Sequence, residues 1–468
     1  MRGWLGLLSL VPAAATALRS QRTPQPTNMV STTAAQMSTN PLQLTKDKVG
    51  VLLLNLGGPD TLDQVEPFLY NLFSDPEIIT LPKQLKWLNS PLAFLISKSR
   101  APSSRKGYEM VLQDGSPQTK TTFAQGRAIE AALAKRGLQA KSYVGMRYWD
   151  PYVADALAAI KADGIERLVV LPLYPQFSIS TSGSSLRQLE AQYYEDQQLR
   201  LMKNVVIPAW YNRPGYINAV ARLVAQRLDR FDDPQRPHVF FSAHGLPKKY
   251  VETLGDPYQA QTEDTVRLVM STLSQQGYKN PHTLAYQSRV GPVEWLQPYT
   301  DDCIRKLADE GVQDLVVVPI SFVSEHIETL EEIDVEYREL ADECGIKRWE
   351  RVPALGIESD FIEDLASAIS EALPKMEERP LREIDEGRPV SLRVVNDLIE
   401  LRSREEVAND YGPRESASSI RRSFTPAAEI VNGRIAMAAI TIASLYSLYQ
   451  GTFWDELFNG RLPYEWWF

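Results

Sequence analysis

Seven short apolar runs recur between residues 49 and 320, and stretches of helical periodicity separate them. They lie at 49–55, 142–146, 168–173, 205–207, 239–242, 283–287 and 315–320. Most are near-continuous apolar runs. A strand with one wet face alternates polar and apolar side chains, whereas a strand covered by helices on both faces does not. The intervening stretches, such as 122–136, 153–163 and 262–276, have the amphipathic pattern of helices with one buried stripe. Strand and helix in turn predict an α/β fold with parallel sheets.

Two pairs of segments share a layout. YVGMRYWDPYV (143–153) and AYQSRVGPVEWLQPYTDD (285–302) both read as strand, arginine, turn, aromatic and proline. RLVVLPLYPQFSISTSGSS (167–185) and DLVVVPISFVSEHIETLEE (314–332) both read as strand, proline, then a polar loop opening a helix. The expectation is two similar halves, the second beginning near residue 238. Polar loops at the carboxyl ends of the strands would face a shared cleft, where open α/β sheets bind ligands. Any two strand–helix units share some of this layout, so the repeat alone leaves a chance likeness open.

The chain is long enough for two or three cores, and its net charge of −9 argues against a nucleic-acid partner, which calls for a basic footprint. The only cysteines are Cys303 and Cys344, with no CxxC pair, so a cysteine-built zinc knuckle or iron–sulfur cluster is excluded. LNLGGP (54–59) lacks both the GxGxxG spacing and the GK[ST] ending, and neither dinucleotide nor P-loop binding follows.

There are four histidines. His244 ends the strand in FSAHGLP, and His326 sits in SFVSEHIETLEEID just past the run 315–320. His238 precedes its strand and His282 sits in a loop, and neither is given a role. Glu325, Glu328, Glu332, Glu336, Glu339 and Glu343 step by three or four residues, one face of an α-helix. Like charges at that spacing repel by roughly 0.2–0.5 kcal/mol per pair. Glu339 and Glu343 read as a solvated face. Glu328 and Glu332, beside a strand end, suit a divalent cation or a proton path. Either histidine alone reads better as a satisfied core residue. Together with the carboxylates, both suit a borderline metal such as ferrous iron or zinc.

LNLGGP, DGSP, MRYWDP, LPLYPQFSISTSGSS, SAHGLP, QSRVGP and SFVSEHIETLEEID occur in that order, and over residues 48–373 the chain resembles ferrochelatase. That family inserts Fe²⁺ into protoporphyrin IX to form protoheme, the last step of heme biosynthesis. The resemblance implies two Rossmann-like, chelatase-like halves around a porphyrin cleft. It implies that His244 and Glu328 form the metal site, that Glu332 shares the catalytic work, and that Glu336 continues an acidic path. Leu56, Arg100, Ser116, Arg147, Tyr148 and Phe322 match positions lining the porphyrin pocket. The apolar residues Trp87, Leu88, Leu92, Phe94, Leu95 and Ile96 resemble a pocket lip able to touch a membrane. Iron and protoporphyrin IX are then substrates, with no tightly bound catalytic cofactor and no iron–sulfur cluster. Two alternatives stay open: a chelatase for another pair, such as cobalt and sirohydrochlorin, and a porphyrin carrier or sensor without turnover.

The ends carry other signals. Residues 1–46 read as a bipartite presequence, with a short apolar run at 3–17 and then a Ser/Thr/Pro-rich stretch with no acidic residue before Asp47. That suits a two-step route into a plastid, and secretion is the alternative. Residues 374–423 read as a charged linker. In 424–458, about 20 apolar residues at ~1.5 Å each would cross a ~30 Å hydrocarbon core. EIVNGRIAM there resembles the chlorophyll-binding helix of light-harvesting proteins. The resemblance implies chlorophyll ligation by Glu429 and Asn432, with Arg434 neutralising a second copy's Glu429 in a homodimer, and a thylakoid location.

Overall fold

The computed structural model describes residues 48–376, apart from residues 77, 80, 82, 113 and 292. The presequence, the linker beyond 376 and the 424–458 helix, with Glu429, Asn432 and Arg434, lie outside the described residues. Among the described residues no helix is long and apolar enough to cross a membrane.

Eight strands form two four-stranded parallel sheets. The first holds β1 (Val49–Asn55), β2 (Ala140–Met146), β3 (Arg167–Pro172) and β4 (Lys203–Val206) in the order β2-β1-β3-β4. The second holds β5 (His238–His244), β6 (His282–Gln287), β7 (Asp314–Pro319) and β8 (Arg348–Arg351) in the order β6-β5-β7-β8. The two orders are the same, so the internal repeat is a duplication of topology. Three readings change. His238 opens β5 and His282 opens β6, and the His238 ring nitrogen meets Thr283 Oγ1 at 2.9 Å across the two strands. β8 has no apolar run: unlike the other edge strands β2, β4 and β6, it buries only Trp349.

The ladder sets the register between the halves. Leu173 N–H donates to Leu54 O at 2.8 Å, and Ile320 N–H donates to Ser242 O at 3.0 Å. Asn55 lies opposite Met146 and Ala243 opposite Tyr286. Met146 and Tyr286 then each donate to the carbonyl of a following proline, Pro151 and Pro298. Leu56 therefore corresponds to His244, Arg147 to Gln287 and Tyr148 to Ser288. The two arginines that the sequence layout aligned, Arg147 and Arg289, are not equivalent.

The halves share one core. Val51 and Leu53 of β1, and Val239 and Phe241 of β5, belong to a single cluster with Trp210, Tyr216 and Phe361. Full burial of each large apolar side chain contributes about 1.5–3 kcal/mol. The last long helix, Ser359–Ala372, returns to the first half and packs on helices Pro117–Lys135 and Pro214–Leu228. Arg213 ties it down through Asp364 at 2.8 Å and Glu371 at 3.0 Å. Gln125 Nε2 of the first half donates to Gly356 O of the second at 2.8 Å.

Candidate active site

Where the strand order reverses beside β5, successive crossovers leave on opposite sides of the sheet and open a crevice at the strand's carboxyl end. His244 is the last residue of β5 and is partly exposed there. Its backbone is fixed: its N–H donates to Ser321 Oγ at 3.2 Å, and Tyr258 Oη donates to its carbonyl at 2.8 Å. Its Nδ1 is buried and finds no hydrogen-bond partner among the described residues. Phe322, from the loop after β7, stands edge-on between two imidazoles, 6.2 Å from the His244 ring and 4.4 Å from that of His326.

Glu328 completes this group. Its Oε2 lies 3.2 Å from His326 Nδ1, close enough for ion pairing but not aligned as a hydrogen bond. Burial alone would raise its pKa, yet attraction to His326 and then His244 overrides that and holds the carboxyl below its ordinary value. Phe322 packs against both imidazoles and His326 lies 3.2 Å from Glu328, which puts His244, His326 and Glu328 in one site. The link also runs through the backbone. Gln287 faces His244 across the β5–β6 ladder, and its Nε2 donates to Glu328 O at 3.3 Å and to Glu332 Oε2 at 2.9 Å. Glu332 further accepts from Ser288 Oγ at 2.7 Å and Tyr337 Oη at 3.0 Å. Ser288 aims its hydroxyl from a left-handed backbone, φ 63°, which costs a non-glycine residue roughly 1–2 kcal/mol.

The ferrochelatase family model matches residues 48–373. Ferrochelatase-2, chloroplastic, of Oryza sativa subsp. indica is 53% identical over 399 residues, covering 84% of this chain and 74% of that protein. Its Arabidopsis thaliana counterpart is 52% identical over 398 residues, covering 84% and 76%. A ferrochelatase of Cyanothece is 52% identical over 416 residues, covering 89% and 98%. The chain belongs to the ferrochelatase family. The reaction implied in the sequence analysis, ferrous iron into protoporphyrin for heme, is therefore the one to assign to this geometry, and the chloroplastic relatives support a plastid location.

The acidic stripe of this ferrochelatase is not the α-helix expected. Glu328–Glu336 is wound as a π-helix, with hydrogen bonds closing from residue i to i+5. Residues five apart, about 140° from each other on an α-helix, come to one side. Glu331 thus reaches Glu336, and burial, then the charges of Glu336 and Glu332, push its carboxyl up to about 7. Glu325 leaves the stripe altogether. It accepts from Arg351 at 2.9 and 3.0 Å and from Ala354 N–H at 2.9 Å; burial would raise its pKa, but Arg351 foremost holds it low. Glu339 and Glu343 are exposed, as expected.

The remaining porphyrin-position residues divide. Arg147 and Tyr148 are buried, and both bond to Asp75, the Tyr148 hydroxyl at 2.8 Å. Leu56 is half-buried and accepts Tyr148 N–H at 2.9 Å. Tyr148 shares an apolar cluster with Tyr108, against which Ile327 packs, so this group adjoins the Glu328 segment. Ser116 caps helix Pro117–Lys135, accepting Thr119 N–H at 3.3 Å, and Arg100 lies over the Phe73 ring at 5.9 Å. A recess of about 470 Å³ is lined by Asp60, Thr61, Leu62, Leu112, Asp114 and Gly115; it adjoins Ser116 rather than His244. The lip residues include the first part of helix Asn89–Val111, with Phe94 51% and Leu95 60% exposed, and Trp87 just before it 57% exposed. That helix rests on the π-helix at Gly107, where a Cβ would meet Glu331 Cγ at 3.2 Å.

Sequence reasoning missed Asp75, Gln287, Ser288 and Tyr337. Their residue types are ordinary in such loops, and only the register between halves marks Gln287 and Ser288. It also missed Trp295, whose ring lies 3.1 Å from where a Cβ on Gly245 would sit, beside His244.

Proposed function

We propose that His244 and Glu328 receive the ferrous ion at the macrocycle and that the path through Glu332 carries off the protons. Insertion replaces two pyrrole N–H protons with one Fe²⁺, so two protons leave for each iron that enters. A base must come within about 2.6–3.2 Å of the N–H, directly or through one water. The His244 imidazole ends β5 partly exposed, and its Nδ1 makes no hydrogen bond among the described residues. Glu332, gathered by Gln287, Ser288 and Tyr337, is fixed as the next acceptor. The observation that carries this reading is that Glu328 lies against His326 and accepts, through its carbonyl, from Gln287, the ladder partner of His244. Leu56, Arg100, Ser116, Arg147, Tyr148 and Phe322 line the macrocycle, and the Phe94–Leu95 lip meets the membrane that holds the apolar substrate. Bending the ring to expose a nitrogen lone pair would draw roughly 1–5 kcal/mol from binding elsewhere.

The test is anaerobic insertion of Fe²⁺ into protoporphyrin IX, followed by loss of free-porphyrin fluorescence. His244→Ala is expected to abolish insertion while porphyrin still binds. Normal turnover by that variant refutes the assignment. Consumption stopping at one equivalent identifies a carrier, and preference for cobalt another chelatase.

The proposal extends to the termini: plastid import by residues 1–46, and a thylakoid anchor at 424–458. Chlorophyll on Glu429 and Asn432, with Arg434 opposite a second copy's Glu429, would make the protein a homodimer. The Cyanothece match extends past residue 373. It spans 416 residues against 326 in 48–373, so 90 lie outside, and only 47 precede residue 48.

A further inference from the structure

Three loops of the first half end on one carboxylate. Asp75 follows helix Val65–Phe73, Arg147 and Tyr148 follow β2, and Ser184 opens the helix Ser184–Glu195 after β3. Asp75 Oδ2 accepts from the Arg147 guanidinium, from Tyr148 Oη at 2.8 Å and from Ser184 Oγ at 2.8 Å. Arg147 Nε donates to Ser184 Oγ at 2.8 Å, closing the network. The four side chains are between 1% and 7% exposed. Ions this far from water persist only when paired and hydrogen-bonded, and removing one partner strands the other.

The internal register gives this cluster a counterpart. Gln287 and Ser288, the equivalents of Arg147 and Tyr148, also donate to a single carboxylate, Glu332. Each half ties the two residues after its second strand to an acid. In the second half that acid lies in the acidic path. In the first it is held against a guanidinium, and the tyrosine it holds packs with Tyr108 next to Ile327.

We propose that Asp75 is a positioning residue for metal insertion: it fixes Arg147 and Tyr148 as the first-half wall of the macrocycle cleft, as Glu332 fixes Gln287 and Ser288 in the second. The inference rests on the cleft being the porphyrin site. Preorganised walls matter because misplacement of a substrate by about 1 Å can cost on the order of 100-fold in rate.

The experiment is Asp75→Asn in the full chain, which keeps the side chain's shape and removes its charge. Turnover is expected to fall about tenfold or more while porphyrin affinity changes less than about threefold. Resonance Raman out-of-plane modes of bound porphyrin are expected to weaken, which a purely structural role would not cause. Asp163→Asn is the control. Asp163 accepts from Tyr143 Oη and Lys141 Nζ, each at 2.6 Å, nearer the start of β2, and this variant is expected to change neither readout. If Asp75→Asn melts lower yet keeps turnover and Raman modes, or if Asp163→Asn shifts them equally, the proposal is overturned. If Asp75→Asn does not fold, Ser184→Ala removes one donor and no charge. It must move both readouts in the same direction, and unchanged values overturn the proposal. Failure of the wild-type chain to bind porphyrin would instead sink the cleft reading.

Discussion

Replacing Glu331 by glutamine removes a carboxyl that the fold holds partly protonated near neutral pH. Burial, then Glu336 and Glu332, push it from an ordinary 4.5 up to about 7, and Glu336 is raised as well, by burial and then Glu332. The folded state therefore binds this proton more tightly than the unfolded chain does. Stability falls as pH rises from the unfolded value to the folded one, then levels off. At about 1.36 kcal/mol per pH unit, the span from 4.5 to about 7 sets a ceiling of ~3.4 kcal/mol. Water reaches both groups and they share the proton, which reduces the effect to roughly 1–1.5 kcal/mol. Glutamine cannot ionise. Glu331→Gln is thus expected to raise the melting temperature at pH 8 by about 2–4 °C. By pH 5 the gain shrinks to about a quarter, because most of the ionisation cost has gone. Melts followed by circular dichroism at the two pH values measure this. A gain of equal size at both, or a loss at pH 8, would refute the argument that π winding forces these acids together.

Two other perturbations probe the frame. Gly215→Ala would set a Cβ 2.4 Å from Asp364 Cβ and 2.8 Å from Asp360 O, where the backbone of helix Ser359–Ala372 cannot yield. A loss of about 1–3 kcal/mol is expected in thermal or urea melts, and an unchanged midpoint would show that the two helices part freely. Phe322→Ala removes the ring between His244 and His326. Insertion is expected to slow about tenfold, with porphyrin affinity also reduced because the ring lines the proposed pocket, and wild-type turnover would show that the imidazoles need no such support.

Much of this architecture was legible in the sequence. Buried parallel strands have no polar alternation, so seven of eight could be read as plain apolar runs. β8 could not, because its four residues RWER bury only Trp349. His244, His326 and Glu328 could be placed at two strand ends from the sequence, the pairing of His244 with Glu328 came from the resemblance, and the close contact of Glu328 is with His326 at 3.2 Å. The acidic stripe was misread because a period of three or four residues suits an α-helix, and nothing in ETLEEIDVE announces π winding. Glu325 left the stripe for Arg351, a residue of the edge strand that went unread. Asp75 was invisible for a related reason: one aspartate in a loop carries no periodic signal until three loops are seen to close on it.

The register that equates Leu56 with His244 gives the cleft a polarity. In the proposed cleft, two walls of like construction would meet, one ending in an imidazole and the other in a hydrocarbon. A flat ring lying between them would have a reactive side and an inert side, although its own nitrogens do not distinguish the two. Iron could then enter from one direction only, and the released protons would depart past the wall that delivered it.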